Sequence, residues 1–388
     1  MNFDLSDDQR AIREAVAAIC RPFDKTYWLR RDSEGGFPHE FHAAIAKAGW
    51  LGVAMPQQYG GAGLGITEAA IMLETVSASG AGLSGCSSIH MNIFGLNPVV
   101  VFGSEEQKGQ WLPPLIRGEH KACFGVTEPN TGLNTLKLKT RAVRQGDRYV
   151  VHGQKIWIST AQVANKILLL ARTTPAEQVK RKTEGLSLFY TDLDRSKVEV
   201  REIEKMGRKA VDSNQLFIDG LEIPVENRVG EEGRGFEYIL HGMNPERVFG
   251  AAAAVGLGKV ALKTAAEYAK ERIVFERPIG QNQGIQHPLS KAWIDLEAAT
   301  LLYTKAAWLY DSNRPCGAEA DAAKYFAGEA AFRACETAVL THGGMGYAKD
   351  FHVERYFRES MLPRIAPVSR ELVLCFIAEK VLGLPKSY

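Results

Sequence analysis

Cysteine is scarce in this chain. The six residues, at positions 20, 86, 123, 316, 335 and 375, show no spacing that would grip a metal or pair as a redox motif. This excludes a zinc module and a disulfide scaffold, and the thiols are expected to be reduced and mostly buried in a cytoplasmic protein. An excess of one charge is missing too. Lys and Arg number 47 against 45 Asp and Glu, the net charge is +2, and no basic run concentrates it, which argues against nucleic acid or a membrane surface as partner. No long uncharged apolar run suggests membrane insertion, and residues 1–20 carry Asp4, Asp7, Asp8 and Glu14 where a secretory leader would be basic and then apolar. The glycine-rich loop Gln57–Gly65 lacks the G-x-G-x-x-G spacing and no strand leads into it, so a Rossmann reading fails. His90, His152, His241, His287, His342 and His352 show no metal spacing and read as core or surface residues. With 388 residues, 45% hydrophobic and 24% charged, a soluble globular chain of two or three domains is expected.

Three compositional regimes follow one another. Up to about residue 120 the chain reads as helical. Ser6-Asp7-Asp8-Gln9 is a capping box for a helix to about Cys20. Phe37–Lys47 is a second helix, with Pro38 in its first turn and Gly49 just past its end, and a third runs from Thr67 to about Ser79. AGLSGCSSIH (81–90) reads as a Gly/Ser-rich connection, and Ser104–Gln107 is a second capping box. From 121 to 230 short alternating runs predict strands: Ala122–Thr127, Lys139–Arg144, Arg148–His152, Lys155–Thr160, Ile167–Ala171, Leu186–Tyr190, Val198–Arg201 and Leu216–Ile218. Pro175–Glu184, rich in charge, is a solvated excursion. From 231 to 388 helices return. Asn244 is the expected N-cap and Pro245 the first helical position of a helix to about Arg272, rich in Gly and Ala so that neighbours can approach closely. Further helices are expected over about Gln283–Tyr310, Gly317–Thr341, Val353–Met361 and Ser369–Leu382, together a bundle.

The chemistry concentrates in 121–160. Thr127–Gly132 is a turn that exposes backbone N–H groups and hydroxyls. Two-residue alternation places Trp157 and Ser159 on one strand face, with Ile156 and Ile158 on the other. An indole beside a hydroxyl, near free donors, suits a flat heteroaromatic ring with acceptors along its edge, and a flavin is such a ring. An ordinary core tryptophan beside a tight turn fits the same residues.

TEPNTG (127–132) with GQKIWIST (153–160) resembles the flavin-binding segments of the acyl-CoA dehydrogenase family. ERIVFERPIGQNQGIQ (271–286) and THGGMGYAKDFHVERYFRE (341–359) are similar to two further motifs of that family, in the same order. The resemblance covers essentially the whole chain. It implies an α+β multidomain fold: a helical N-terminal domain (1–120), a β-barrel-like middle domain (121–230) and a C-terminal four-helix bundle (231–388). It implies FAD, an acyl-CoA substrate, an electron-transfer flavoprotein as electron acceptor, and a homo-oligomer, expected to be a tetramer. By position, Phe124, Val126, Thr127, Gly132, Trp157 and Ser159 would surround the flavin. Arg272, Phe275 and Gln283 would reach the pyrophosphate and adenosine of a neighbouring subunit, and Gly343 and Gly344 would admit the cofactor to the backbone. Ser369 and Glu371 stand where the family has a Thr and a Gln on the cofactor, although a carboxylate at 371 would repel a diphosphate. Asn244, Arg247 and Leu133 fall on the substrate side.

The implied reaction is α,β-desaturation of an acyl-CoA thioester, in which a carboxylate removes the α-proton and the β-carbon gives hydride to flavin N5. Many members carry the base in a Tyr-Glu-Gly-Thr segment. Here Ala366-Pro367-Val368-Ser369 takes its place, and proline accepts no proton. Either the step is lost or the base lies elsewhere. Glu246 is the candidate, because Asn244-Pro245-Glu246-Arg247 matches the place where isovaleryl-CoA dehydrogenase carries its glutamate. Helix dipole and burial would push its pKa in opposite directions; the plainer reading is a first-turn acid paired with Arg247 or solvent. Leu133 and Asn134 for the usual Ser-Asp, Glu276 for a common Gly and Leu340 for a Gln also depart from the pattern. Two other functions stay open: a different flavin reaction on this scaffold, such as acyl-CoA desulfination or monooxygenation, and a non-catalytic subunit of a mixed tetramer.

Overall fold

The computed structural model describes residues 4–93 and 96–387. Helices α1 (Asp7–Cys20), α2 (Lys25–Glu34), α3 (His39–Lys47), α4 (Ile66–Val76), α5 (Gly82–Ile93), α6 (Asn97–Phe102) and α7 (Glu105–Ile116) come first. Both expected capping boxes form: Ser6 Oγ accepts from the Gln9 amide and Ser104 Oγ from the Gln107 amide, each at 3.1 Å. Helix α3 begins two residues later than expected, after Pro38, and ends before Gly49 in the left-handed region. Helix α2 has a local signal that the sequence reading passed over, an Asp24 side chain accepting from the Tyr27 amide at 3.0 Å.

The expected Gly/Ser-rich connection at 81–90 is instead mostly helical, as α5. Its small residues are buried because neighbouring side chains come too close for larger ones. A Cβ on Gly85 would stand 2.5 Å from the Ala81 Cβ, and one on Gly82 would stand 2.6 Å from Glu359 Oε2. Tertiary packing here overrides the low helix propensity of Gly and Ser.

The middle of the chain forms strands β1 (Ala122–Gly125), β2 (Arg141–Gln145), β3 (Arg148–Ser159), β4 (Lys166–Arg172), β5 (Leu186–Asp192), β6 (Val198–Glu202), β7 (Ser213–Pro224) and β8 (Arg228–Val229). They make one sheet in the order β6-β7-β3-β2-β4-β5-β8, with β1 parallel to β4. Strand β4 is buried on both faces. Ile167, Leu169 and Ala171 pack with Tyr149, Val151, Leu216 and Ile218, inside the curl of the sheet. Leu168 and Leu170 pack with Trp111, Leu112 and Leu115 of α7, fixing the first helical layer against the sheet.

Helices α8 (Gly235–His241), α9 (Met243–Glu271), α10 (Gln283–Asp311), α11 (Gly317–His342), α12 (Val353–Ser360), α13 (Leu362–Ile365) and α14 (Arg370–Lys380) follow, with a small hairpin of β9 (Ile273–Val274) and β10 (Arg277–Pro278) after α9. Asn244 is not the N-cap of α9. The helix starts at Met243, almost continuous with α8, and the Asn244 side chain accepts from Arg247 instead. Helix α9 is largely a core helix: 72% of the apolar window within 235–271 is buried in the fold, while Lys263, Glu267, Lys270 and Glu271 face solvent toward its C-terminal end. A Cβ on Gly256 would meet the Glu74 carbonyl oxygen at 2.4 Å, and one on Gly258 would meet Leu296 at 2.5 Å, so these glycines let α4 and α10 lie directly on α9. Arg247 of α9 meets Asp321 of α11, and Tyr268 stacks on His342 with centroids 4.2 Å apart. The two helices therefore run parallel.

Candidate active site

Strand β3 does not keep its alternation to the end. Between Lys155 and Ile158 the register to β7 shifts, and Trp157 takes φ 61°. The Ile156 amide leaves the ladder and donates to the Thr127 carbonyl at 2.9 Å. Such a bulge re-aims side chains. Lys155 and Ile158 both turn inward, where the alternation had placed Ile156 with Ile158, and Trp157 stands 57% exposed. Lys155 is fully buried, and its Nζ donates to Glu128 Oε1 at 3.0 Å and to the Val126 carbonyl at 3.1 Å. Glu128 also accepts from the amides of Lys139 and Thr140 at 2.7 and 2.9 Å. Burial pulls the Lys155 ammonium down, to about 8, against the pull of Glu128. This buried pair ties the Val126–Glu128 turn to β3, which brings Val126 and Thr127 beside Trp157.

Ser159 accepts from Arg208 Nη2 at 3.1 Å, and the same guanidinium donates to Ser213 at 3.2 Å and to Ser87 of α5 at 3.0 Å. A guanidinium only donates, so it takes a lone pair of Ser159 and leaves that hydroxyl's own proton for another acceptor. Nearby, the buried Thr131 hydroxyl has no hydrogen-bond partner among the described residues. An exposed indole, a hydroxyl proton available for donation and an orphaned hydroxyl are what a flat ring with acceptor edges would use, so the residues present fit a flavin.

Where the sheet, the first helices and the bundle converge, His90, Met91, Pro98, Phe124, Ile239, Gly242 and Glu246 line a small cavity, partly open to solvent. Its walls are mainly apolar. Burial pushes the Glu246 carboxyl up to about 7, with Arg247 pulling it back. Burial, then Arg208, holds His90 down at about 4, so its imidazole is neutral at pH 7. The histidine that the sequence marked as ordinary thus shares a cavity with the candidate base. Phe124 and Glu246 meet at this junction, and Arg208 ties Ser159 to Ser87 of α5, the helix that carries His90.

Arg272, Phe275 and Gln283 do not. Glu246 and Arg272 sit near opposite ends of α9, 26 residues apart, a rise of about 39 Å. Arg272 ends α9, Phe275 is 93% exposed at the tip of the small hairpin, and Gln283 opens α10. Gly343 and Gly344 lie at that same far end, next to the Tyr268–His342 stack, with open space where a Cβ would be.

Three consecutive domain families match in order: the acyl-CoA dehydrogenase N-terminal domain over residues 6–119, the middle domain over 123–221 and the C-terminal domain over 233–382. The chain belongs to the acyl-CoA dehydrogenase family. It is an oxidoreductase of that family, with the family's helical, sheet and helical domains. Acyl-CoA dehydrogenase FadE12 of Mycobacterium tuberculosis is 36% identical over 391 residues, covering 100% of this chain and 99% of its own. The structure of the glutaryl-coenzyme A dehydrogenase glutaryl-CoA complex superposes with a TM-score of 0.92 at 28% identity, over 100% of this chain and 98% of that one. The FAD complex of PigA does so with a TM-score of 0.93 at 26% identity, over 99% and 100%. Family and fold imply FAD as the cofactor.

In this acyl-CoA dehydrogenase-family chain, Gly132 and Leu133 lie on the open loop, with Leu133 55% exposed. Ser369 caps α14, accepting from the Leu372 amide at 3.3 Å, and Glu371 is exposed and engaged by Arg370. Arg247 turns away from the cavity toward Asp321. Sequence reasoning missed Lys155, Arg208 and Asp321. Lys155 could have been found, since an ammonium amid inward-facing residues demands a partner and Glu128 stands in the adjoining turn. Arg208 lies in an irregular turn with φ 57°, where no periodicity points to it.

Proposed function

We propose that this chain catalyses FAD-dependent α,β-dehydrogenation of an acyl-CoA thioester with Glu246 as the α-proton base. The observation that carries this reading is the half-buried Glu246 carboxyl, pushed up to about 7 in an apolar cavity that it shares with Phe124 and the neutral His90. A general base works best with its pKa near the operating pH, and an apolar wall both raises the pKa and excludes water. Pro367, in the usual base position, cannot do this work. Bound FAD would supply the hydride acceptor. Trp157 would cover one face of its ring system, Ser159 would donate to its edge, and Phe124, Val126 and Thr127 would frame it, with Leu133 and Asn244 on the substrate side.

The same reading completes the cofactor site across subunits. Arg272, Phe275, Gln283, Gly343 and Gly344 lie too far along α9 to serve the Glu246 cavity of their own chain, and the exposed stripe Trp293, Leu301 and Trp308 on α10 offers an apolar contact for another copy. A homotetramer with an electron-transfer flavoprotein as acceptor fits this arrangement.

Glu246→Gln keeps size and hydrogen bonding but removes the proton acceptor. FAD and acyl-CoA should still bind, while anaerobic flavin bleaching by acyl-CoA should slow by roughly two to four orders of magnitude. Pro367→Ala should bleach at the wild-type rate. Near-normal bleaching in Glu246→Gln would place the base elsewhere and bring a reaction without proton abstraction, such as desulfination, to the front.

A further inference from the structure

The start of α9 sets an acid and a guanidinium on adjacent positions, and they part company. Neighbouring positions on a helix do not face each other: Glu246 lines the cavity, while Arg247 crosses to α11. There its Nε lies 2.9 Å from Asp321 Oδ1, and its Nη1 donates to Asn244 Oδ1 at 3.0 Å. Asp321 is 1% exposed. Neither of its oxygens has an aligned hydrogen-bond donor among the described residues, so charge, chiefly that of Arg247, holds it. Lys324, one turn further along α11 and also buried, gives its ammonium to the Val368 carbonyl. A carboxylate buried here is costly unless paired, and its partner is the cation adjacent to the candidate base.

We propose that Asp321 is a positioning residue: it anchors the Arg247 guanidinium on α11, keeps it from pairing with Glu246, and so leaves that carboxyl free to take a proton from a bound acyl group. The proposal rests on Glu246 as base. Arg247 has two carboxylates within the sweep of its side chain, and the buried one on α11 holds it. Among the described residues the remaining walls around Glu246 supply no competing cation: α5 presents His90, kept neutral with Arg208 behind it, and Met91, Pro98, Phe124, Ile239 and Gly242 are apolar. Around Asp321 the charged groups are Arg247 and Lys324, with Glu329 and Glu371 acting on Lys324 and the Cys316 thiol close to Arg247. Without the Asp321 charge, the best remaining partner for Arg247 is Glu246.

The test is a pH titration of Glu246 in the FAD-loaded protein, without turnover, by the protonated-carboxyl band in difference infrared spectra, assigned by its loss in Glu246→Gln. Asp321→Asn should lower the midpoint by about one unit or more, the effect of gaining an adjacent cation, and the pH dependence of flavin bleaching should move with it. Adding Arg247→Gln to Asp321→Asn removes the cation and should return the midpoint to the wild-type value or above. An unchanged midpoint in Asp321→Asn overturns the proposal. Should that variant not fold, a double variant that also fails to fold, or that titrates below the wild type, overturns it instead. Failure of the base reading looks different: Glu246→Gln would bleach at a near-normal rate, wherever the band titrates.

Discussion

At the scale of single residues, the cavity around Glu246 makes its proton a reporter on the fold. The carboxyl is raised by burial to about 7, above its unfolded value, so between the ordinary carboxylate range and pH 7 the folded protein holds a proton that the unfolded chain releases. Stability from this group therefore falls as pH rises through that window. Glu246→Gln carries no such titration. Relative to wild type it should gain on the order of 2 kcal/mol by pH 8, with the gap closing toward pH 5. Denaturant melts of the two proteins at both pH values check this, and parallel curves would mean that Glu246 titrates as a solvated acid. In the same pH range the wild-type bleaching rate should climb as the base deprotonates.

At the scale of elements, the end of β3 governs the site. The bulge at 156–157 costs ladder hydrogen bonds, and Lys155 offsets that loss by reaching Glu128 in the turn before it. Lys155→Met fills the space but strands a carboxylate that is 6% exposed. The expected loss is about 3–5 kcal/mol, as for other broken buried pairs, with weaker FAD retention because the Val126–Glu128 turn loosens. Adding Glu128→Gln should recover much of the stability. Unfolding midpoints and bound flavin per chain are the measurements, and a Lys155→Met protein as stable as wild type would contradict the role given to the pair.

At the scale of the whole molecule, the length of α9 decides the assembly. One end carries the candidate base and the other carries Arg272, about 39 Å away, with Phe275 projecting beyond it. If those residues hold the diphosphate and adenosine of another copy, Arg272→Ala should lower FAD content at least several-fold and leave secondary structure and oligomer size largely as they were. Flavin absorbance per chain, circular dichroism and light scattering separate these effects. A monomer that keeps one FAD per chain would refute a shared site.

The elements legible in the sequence were those fixed by neighbours in the chain. The capping boxes at Ser6 and Ser104 and the hairpin at Gly146 act within a turn or two, so their residues announce α1, α7 and β2–β3 directly. The motifs around Trp157 and Glu246 were legible for the same reason, and they point to the family without any coordinates. Other features depend on contacts between residues far apart in sequence, which leave no period to read. The segment 81–90 is helical because Trp28, Val76 and Glu359 close around its small residues. Trp157 faces outward through a bulge rather than through simple alternation, and Asn244 serves Arg247 rather than the helix end. Arg208 joins hydroxyls from α5, β3 and β7, and Asp321 meets Arg247 across 74 positions of chain. Local chemistry chose the elements and the catalytic candidate; burial and long-range charge pairing, which exist only once the domains close on one another, chose its surroundings.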